Sequence, residues 1–368
     1  MAIAGTHVSL NTTDGEDKIT IQEKVTSAYF SDGSTELLGG SIVSESLTDT
    51  NETYFFGIAN SATATTTEFD VAYGHVDGNG GDDDVNAIKS PTSAIYKQFA
   101  NILLPANEVT GGFFISSAGS AGAISSGKDS EIYVLAATRA NMKDRLNKKN
   151  WTVAFSGSNS ADDGGILLEL TDDSVNDAPT ATPAGDRFNI VSGSDGTIVR
   201  AATEKTYGHY YPDQGLMVFS GAELSASIPG AHISKNSVVV FNSGSQIGFG
   251  ATANQDANYK SALRLINCLT VSGSAGGRLK FRDEEDQISS QYFCRAKAGH
   301  FNFSNNPTFV SGSQNELRIS SMKGNPSTFI TQVQLYNSAG DMVAVGNLST
   351  PLQKNFSKEA TIKVKLTY

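Results

Sequence analysis

Ala360-Thr-Ile-Lys-Val-Lys-Leu-Thr-Tyr368 alternates apolar and polar residues to its last position, and a period of two marks a strand with one covered face. Ile362, Val364 and Leu366 share that face. Lys363 and Lys365 line the other, where charge discourages accidental edge pairing. Working back from this stretch, Thr328–Tyr336 and Met342–Asn347 read as strands joined by a hairpin turn over Asn337–Asp341 that contains Gly340. Arg278–Arg282 and Ser290–Lys297 read the same way, with the acidic run Asp283, Glu284, Glu285 and Asp286 between them expected as a solvated turn.

The first half repeats the pattern with helices added. Glu52–Ile58, Glu68–Tyr73, Glu131–Ala136, Trp151–Ser156 and Ile166–Leu170 are expected strands, and Glu131–Ala136 is the central one. Ser90 is a suitable N-cap, Pro91 suits the first helical position and Pro105 ends the run. Ile95, Phe99, Ile102 and Leu103 then form the expected inward stripe. A short basic helix is expected over Thr138–Asn147, with Met142 and Leu146 inward, and another over Asn258–Leu269, with Tyr259, Ala262, Leu263 and Ile266 inward. Arg187–Ser192, Gly215–Ser220 and Ser237–Phe241 are further strands. Gly, Ser, Asp and Pro accumulate from Gly157 to Pro183, which places a domain junction there. The expected fold is therefore α+β and β-rich, with antiparallel sheets and a few short helices in two domains. Residues 1–170 form an N-terminal α+β domain with an extended N-terminal arm, 171–183 a linker, and 184–368 a C-terminal β-rich domain.

Composition narrows the function classes. Hydrophobic residues make up 39% and charged residues only 18%, the difference being filled by Gly, Ser, Thr, Asn and Ala, while 19 Phe and 12 Tyr supply core anchors. Hydroxyl and amide surfaces cost less to desolvate than ionic ones, which suits subunit packing. A net charge of −11 argues against a phosphate-tracking nucleic-acid binder. The densest basic run, Lys143, Arg145, Lys148 and Lys149, reads as a solvated face. No apolar run approaches the ~20 residues needed to cross a bilayer, so neither nucleic acid nor membrane is an expected partner. The first ten residues carry no charged n-region or long apolar stretch, so Cys268 and Cys294 are expected to be reduced and buried.

Catalytic patterns are missing from the sequence. It has no phosphate-binding glycine–lysine loop, no Gly-x-Ser-x-Gly elbow and no His-Glu-x-x-His pair, and its five histidines are scattered. Asp77-Gly-Asn-Gly-Gly-Asp-Asp-Asp84 offers hard oxygens from Asp77, Asn79 and Asp82, but it lacks the spacing and terminal glutamate of a calcium loop and reads as a solvated turn. Tyr207, His209, Tyr210 and Tyr211 read as packing rather than a carbohydrate platform. No catalytic residue, cofactor or metal ligand is assigned, and an enzyme is not expected.

The C-terminal part carries a more specific signal. Phe301-Asn-Phe-Ser-Asn-Asn-Pro-Thr-Phe309 is followed by Asn325-Pro-Ser-Thr-Phe-Ile-Thr-Gln-Val-Gln-Leu-Tyr-Asn337, Val343-Ala-Val345, Leu348-Ser-Thr-Pro-Leu-Gln-Lys354 and Lys358–Leu366. This succession resembles a family of virion structural proteins of large contractile-tailed bacteriophages, especially those infecting cyanobacteria. Asp129–Leu135, Arg139–Leu146, Asn150–Gly157 and Val25–Phe30 resemble the same family. The resemblance implies a virion component of the tail or baseplate region, assembled in the host cytoplasm, whose partners are other virion proteins and copies of itself in a symmetric oligomer. Neck, head-decoration or fibre-attachment roles and a receptor- or glycan-binding adhesin are the alternatives. Phe301, Phe303 and Phe309 are expected in the core, facing one side, and Met1–Gly15 is expected as an arm that reaches a neighbouring subunit.

Overall fold

The structure is a computed structural model that describes residues 8–11, 16–44, 55–61, 66–78, 91–108, 112–115, 128–155, 168–199, 205–224, 239–240, 246–247, 262, 265–266, 268–269 and 277–368. Its strands begin with β1 (Lys18–Ala28), β2 (Glu36–Leu38), β3 (Ile42–Ser44), β4 (Phe55–Asn60), β5 (Thr67–His75), β6 (Glu131–Ala137), β7 (Arg145–Leu146) and β8 (Thr152–Phe155). They continue with β9 (Leu168–Asp172), β10 (Thr180–Thr182), β11 (Gly185–Ser194), β12 (Thr197–Ile198), β13 (Gly208–Tyr211), β14 (Leu216–Ser220), β15 (Val239–Val240) and β16 (Gln246–Ile247). The last are β17 (Gly277–Lys280), β18 (Arg282–Ala296), β19 (Val310–Ser311), β20 (Glu316–Leu317), β21 (Thr328–Tyr336), β22 (Met342–Lys354) and β23 (Ala360–Thr367). Among the described residues α1 (Pro91–Leu103) and α2 (Gly221–Leu224) are the helices with described bounds. The fold is β-rich, and every pairing with a described register is antiparallel.

The chain separates into a central unit, Val25–Glu285, and a terminal unit built from both end segments, Met1–Lys24 and Asp286–Tyr368. This differs from the division expected at residues 171–183. Within that stretch β9 and β10 both pair with β11, and Asp173 accepts hydrogen bonds from the backbone N–H (3.0 Å) and side-chain amide (2.8 Å) of Asn189. Turn-forming composition there serves a sheet corner rather than a linker.

In the central unit one sheet runs in the order β2-β17-β8-β9-β11-β13-β14-β6-β5-β4-β3, with β10 and β12 also on β11. β6 lies between β14 and β5, as its apolar run demanded, and is covered on both faces. Tyr133 and Leu135 join a core that includes Phe69, Trp151, Tyr210 and Phe281, whereas Ile132 and Val134 pack with Tyr96, Ala100 and Leu103 of α1. Trp151 stacks on Phe281 at 5.7 Å and meets Tyr210 at 5.1 Å, contacts that add to the burial of large rings.

α1 forms where expected, but its covered face is turned by one residue. Tyr96, Ala100 and Leu103 are buried and Ile102 is half exposed. The tyrosine hydroxyl decides the rotation, because it donates to the Asp129 carbonyl (2.6 Å) and accepts from the Phe113 N–H (3.0 Å), bonds that a stripe centred on Ile95 would forgo. Gly74 permits the approach, since a Cβ there would lie 2.9 Å from the Tyr96 nitrogen. The Ser90 cap lies outside the described residues. In the expected helix over Asn258–Leu269, Ala262 and Ile266 are helical and buried, as are Leu265, Cys268 and Leu269, while Tyr259 and Leu263 lie outside the described residues.

Two local expectations are overturned together. Thr138–Asn147 is not a helix but a 3-10 turn (Arg139–Asn141) followed by β7, and Asp283–Asp286 is not a solvated turn but part of β18. β7 pairs with β18, so that Leu146 lies opposite Asp283 and Arg145 opposite Glu284. Asp283 accepts the Lys143 N–H at 2.7 Å and Glu284 accepts the Asn147 side-chain amide at 2.6 Å. These carboxylates are buried because a distant segment supplies their donors. Met142 and Leu146 still point inward.

Candidate assembly surface

In the terminal unit β18 lies between β1 and β23. β23 alternates as its sequence required, with Ile362, Val364 and Leu366 half-buried and Lys363 and Lys365 exposed. The apolar face of the closing strand is thus only partly covered.

β21 and β22 pair only with each other among the described strands. Their turn is closed by Asn337 and Asp341: the Asn337 N–H donates to the Asp341 carbonyl at 2.9 Å, the Asp341 N–H to Asn337 Oδ1 at 2.8 Å, and Gly340 supplies a φ of +89°. At the opposite end Lys354 is buried, its ammonium donating to the Ala298 carbonyl (2.9 Å), Asn302 Oδ1 (2.8 Å) and the Asn355 carbonyl (3.0 Å). Desolvation pulls the Lys354 pKa below its usual value. Asn302 also donates to the Ala298 carbonyl at 2.6 Å.

That arrangement corrects the reading of the phenylalanines. Asn302 takes the inward position, so Phe301 and Phe303 on either side of it are exposed, at 40% and 55%. Phe309 is half-buried and meets Phe303 edge-on at 5.7 Å. Phe329, Leu352 and Phe356 are exposed near the same end of the hairpin, and Tyr336, Met342, Val343 and Val345 near its tip. Of the twenty exposed large hydrophobic side chains among the described residues, fourteen belong to the terminal unit. Exposed apolar side chains gathered in one unit in this number mark it as the candidate interaction surface.

Charge divides in the opposite way. The central unit holds 17 Lys and Arg against 30 Asp and Glu, the terminal unit 10 against 8. Between Thr328 and Lys354 the only charged residues are Asp341, tied into the turn, and Lys354.

The carboxylates of the central unit hold the fold together. Glu68 accepts from the backbone and hydroxyl of Ser31 and from the Asn141 amide (2.7 Å). Asp129 accepts from the Ile115 N–H (2.7 Å) and the Ser220 hydroxyl, and Glu131 from the Tyr73 hydroxyl (2.9 Å). Burial raises the pKa of Asp173 and of Asp283. The basic run is likewise engaged, with Lys143 on Glu285 at 3.0 Å and Arg145 facing Glu284 and Asp213. His209, Tyr210 and Tyr211 are buried on β13, in keeping with packing. Among the described residues no three His, Cys, Asp or Glu side chains form a metal-binding group; of the acidic loop only Asp77 and Gly78 are described, and Asp77 is exposed. Cys268 is buried, Cys294 is half-buried, and both are free thiols.

Sequence reasoning missed the Lys354–Asn302 cage and the polar face of the hairpin. The first is a non-local pairing without a motif. The second was visible as Gln332, Gln334 and Tyr336 at every other position of β21.

No protein family, no curated protein and no solved structure matches this chain. Its functional reading therefore rests on the surface described above and on the sequence itself.

Proposed function

We propose that this protein is a non-enzymatic structural subunit of a tailed-phage virion, placed in the tail or baseplate region, that acts by binding copies of itself and neighbouring virion proteins. The observation that carries the reading is the concentration of exposed apolar side chains in the terminal unit. The segments that resemble phage virion proteins, Phe301–Phe309, Asn325–Asn337 and Leu348–Lys354, contribute Phe301, Phe303, Phe329, Tyr336 and Leu352 to it. A subunit that meets its neighbours through hydroxyls, amides and aromatic rings avoids the cost of desolvating ions. The test is mass spectrometry of purified particles of the encoding phage, followed by antibody labelling or cryo-EM. Density for the chain in the tail or baseplate is expected. Absence from purified particles would overturn the reading, and density at the neck, head or fibre attachment would move it there. The exposed phenylalanines also favour a second reading, a receptor-binding adhesin, and specific retention on a glycan array would support it.

A further inference from the structure

On the tip half of the β21–β22 hairpin, register places Gln332 opposite Asn347, Gln334 opposite Val345 and Tyr336 opposite Met342, so these six side chains share one face. All six are exposed. Four of them form a directed chain of hydrogen bonds: the Tyr336 hydroxyl donates to Gln334 Oε1 (2.6 Å), Gln334 Nε2 to Gln332 Oε1 (2.9 Å), and Gln332 Nε2 to Asn347 Oδ1 (3.0 Å). The chain has a donor end, the Asn347 amide N–H groups, and an acceptor end, the free lone pair of the Tyr336 oxygen. Val345 and Met342, each more than half exposed, fill the face beside it.

We infer that this face pairs with the same face of a second copy across a two-fold axis, an inference that rests on the assembly reading and names its first contact. Three observations select a second copy as the occupant. A two-stranded ribbon is marginal in water and calls for cover. The ladder engages the carbonyl oxygen of each of its three amides and leaves amide N–H groups over for acceptors on a facing surface, and a two-fold axis through its middle sets the Asn347 end of one copy against the Tyr336 end of the other. Finally, each copy carries a net charge of −11, and the face is free of ions, so like-charge repulsion is smallest here. With about 80–100 Å² exposed by each of six side chains, the pair buries roughly 1,000–1,200 Å², the lower range for a specific interface.

Gln334 lies near the axis, so a charge placed there meets its own copy. Sedimentation velocity of the full chain is expected to show a dimer. Gln334→Glu and Gln334→Lys are each expected to sediment as monomers, and their equimolar mixture to recover the dimer by pairing opposite charges across the axis. Because the mixture recovers only if both variants are folded, misfolding cannot imitate the result. A monomeric or trimeric wild-type chain, single variants that remain dimeric, or a mixture that stays monomeric would each overturn the two-fold pairing. A monomer that still enters phage particles refutes this inference and leaves the virion reading in place; a dimer with no place in particles does the reverse.

Discussion

His209 offers a direct test of how the central unit is held together. It lies on β13 between Asn189 of β11 and Val218 of β14, is 4% exposed, and its Nδ1 has no hydrogen-bond partner among the described residues. Burial, with the nearby Arg187 guanidinium adding to it, pushes its pKa down to about 3. The imidazole is therefore neutral in the folded protein, while the unfolded chain takes up a proton below about pH 6.5. A depressed folded pKa gives stability that is complete above the unfolded value and lost as pH falls toward the folded one. The loss is about 1.4 kcal/mol per pH unit, so roughly 2 kcal/mol disappears by about pH 5. That is a large part of an ordinary stability of about 5–15 kcal/mol. Asp173 and Asp283, whose raised pKa values act with the opposite sign, are common to both proteins in a comparison of wild type with His209→Leu. Urea unfolding followed by the fluorescence of Trp151, the one tryptophan, reads this unit. Between about pH 8 and pH 5 the variant should gain roughly 2 kcal/mol relative to wild type. A difference that stays constant over that range would refute the assignment of a neutral, desolvated histidine.

Other positions give sharper local tests. Lys354→Met removes three donations from a buried ammonium and should cost the terminal unit about 3 kcal/mol, read as faster amide exchange over 298–302. Gly74→Ala puts a methyl group 2.9 Å from the Tyr96 nitrogen, and should cost about 1–3 kcal/mol as α1 is pushed off β5, measured by thermal melting. Cys268 is fully buried in apolar surroundings that push its thiol pKa up, so it should resist alkylation until the central unit unfolds, whereas half-buried Cys294 should label slowly in the native protein; mass mapping of labelled peptides separates the two.

What could be read from the sequence follows from the range of the interaction that fixes each element. The alternation of β23, the hairpin turn over Asn337–Asp341 and the two-sided apolar run of β6 depend on neighbours in the chain, and all three stand as expected. Thr138–Asn147 and Asp283–Asp286 were misread because each is determined by the other, some 140 residues away: Asp283 receives the Lys143 N–H. The turn of α1 depends on Phe113 and Asp129, and the exposure of Phe301 and Phe303 on Lys354. Hydrophobic spacing shows that a face exists but does not show which of two adjacent faces satisfies a tyrosine hydroxyl.

The two units divide the physical tasks between them. The central unit encloses its aromatic side chains, fastens its turns with buried carboxylates and carries the excess of negative charge. Those carboxylates hold backbone N–H groups and neighbouring hydroxyls and amides, so their cost of desolvation is set against bonds that specify one chain path. The terminal unit has no excess of negative charge and leaves rings and aliphatic side chains in water, at a cost that burial against another surface removes. It also gathers the two end segments of the sequence, since β1 and β23 flank β18. Residues that precede β1 are therefore joined to the same unit as the hairpin. Met1–Gly15, expected to reach a neighbouring subunit and mostly outside the described residues, belongs by chain position to that unit. If that segment contributes to assembly, its deletion should lower incorporation into particles and leave the melting of the central unit unchanged, because among the described residues none of that unit's core side chains comes from it.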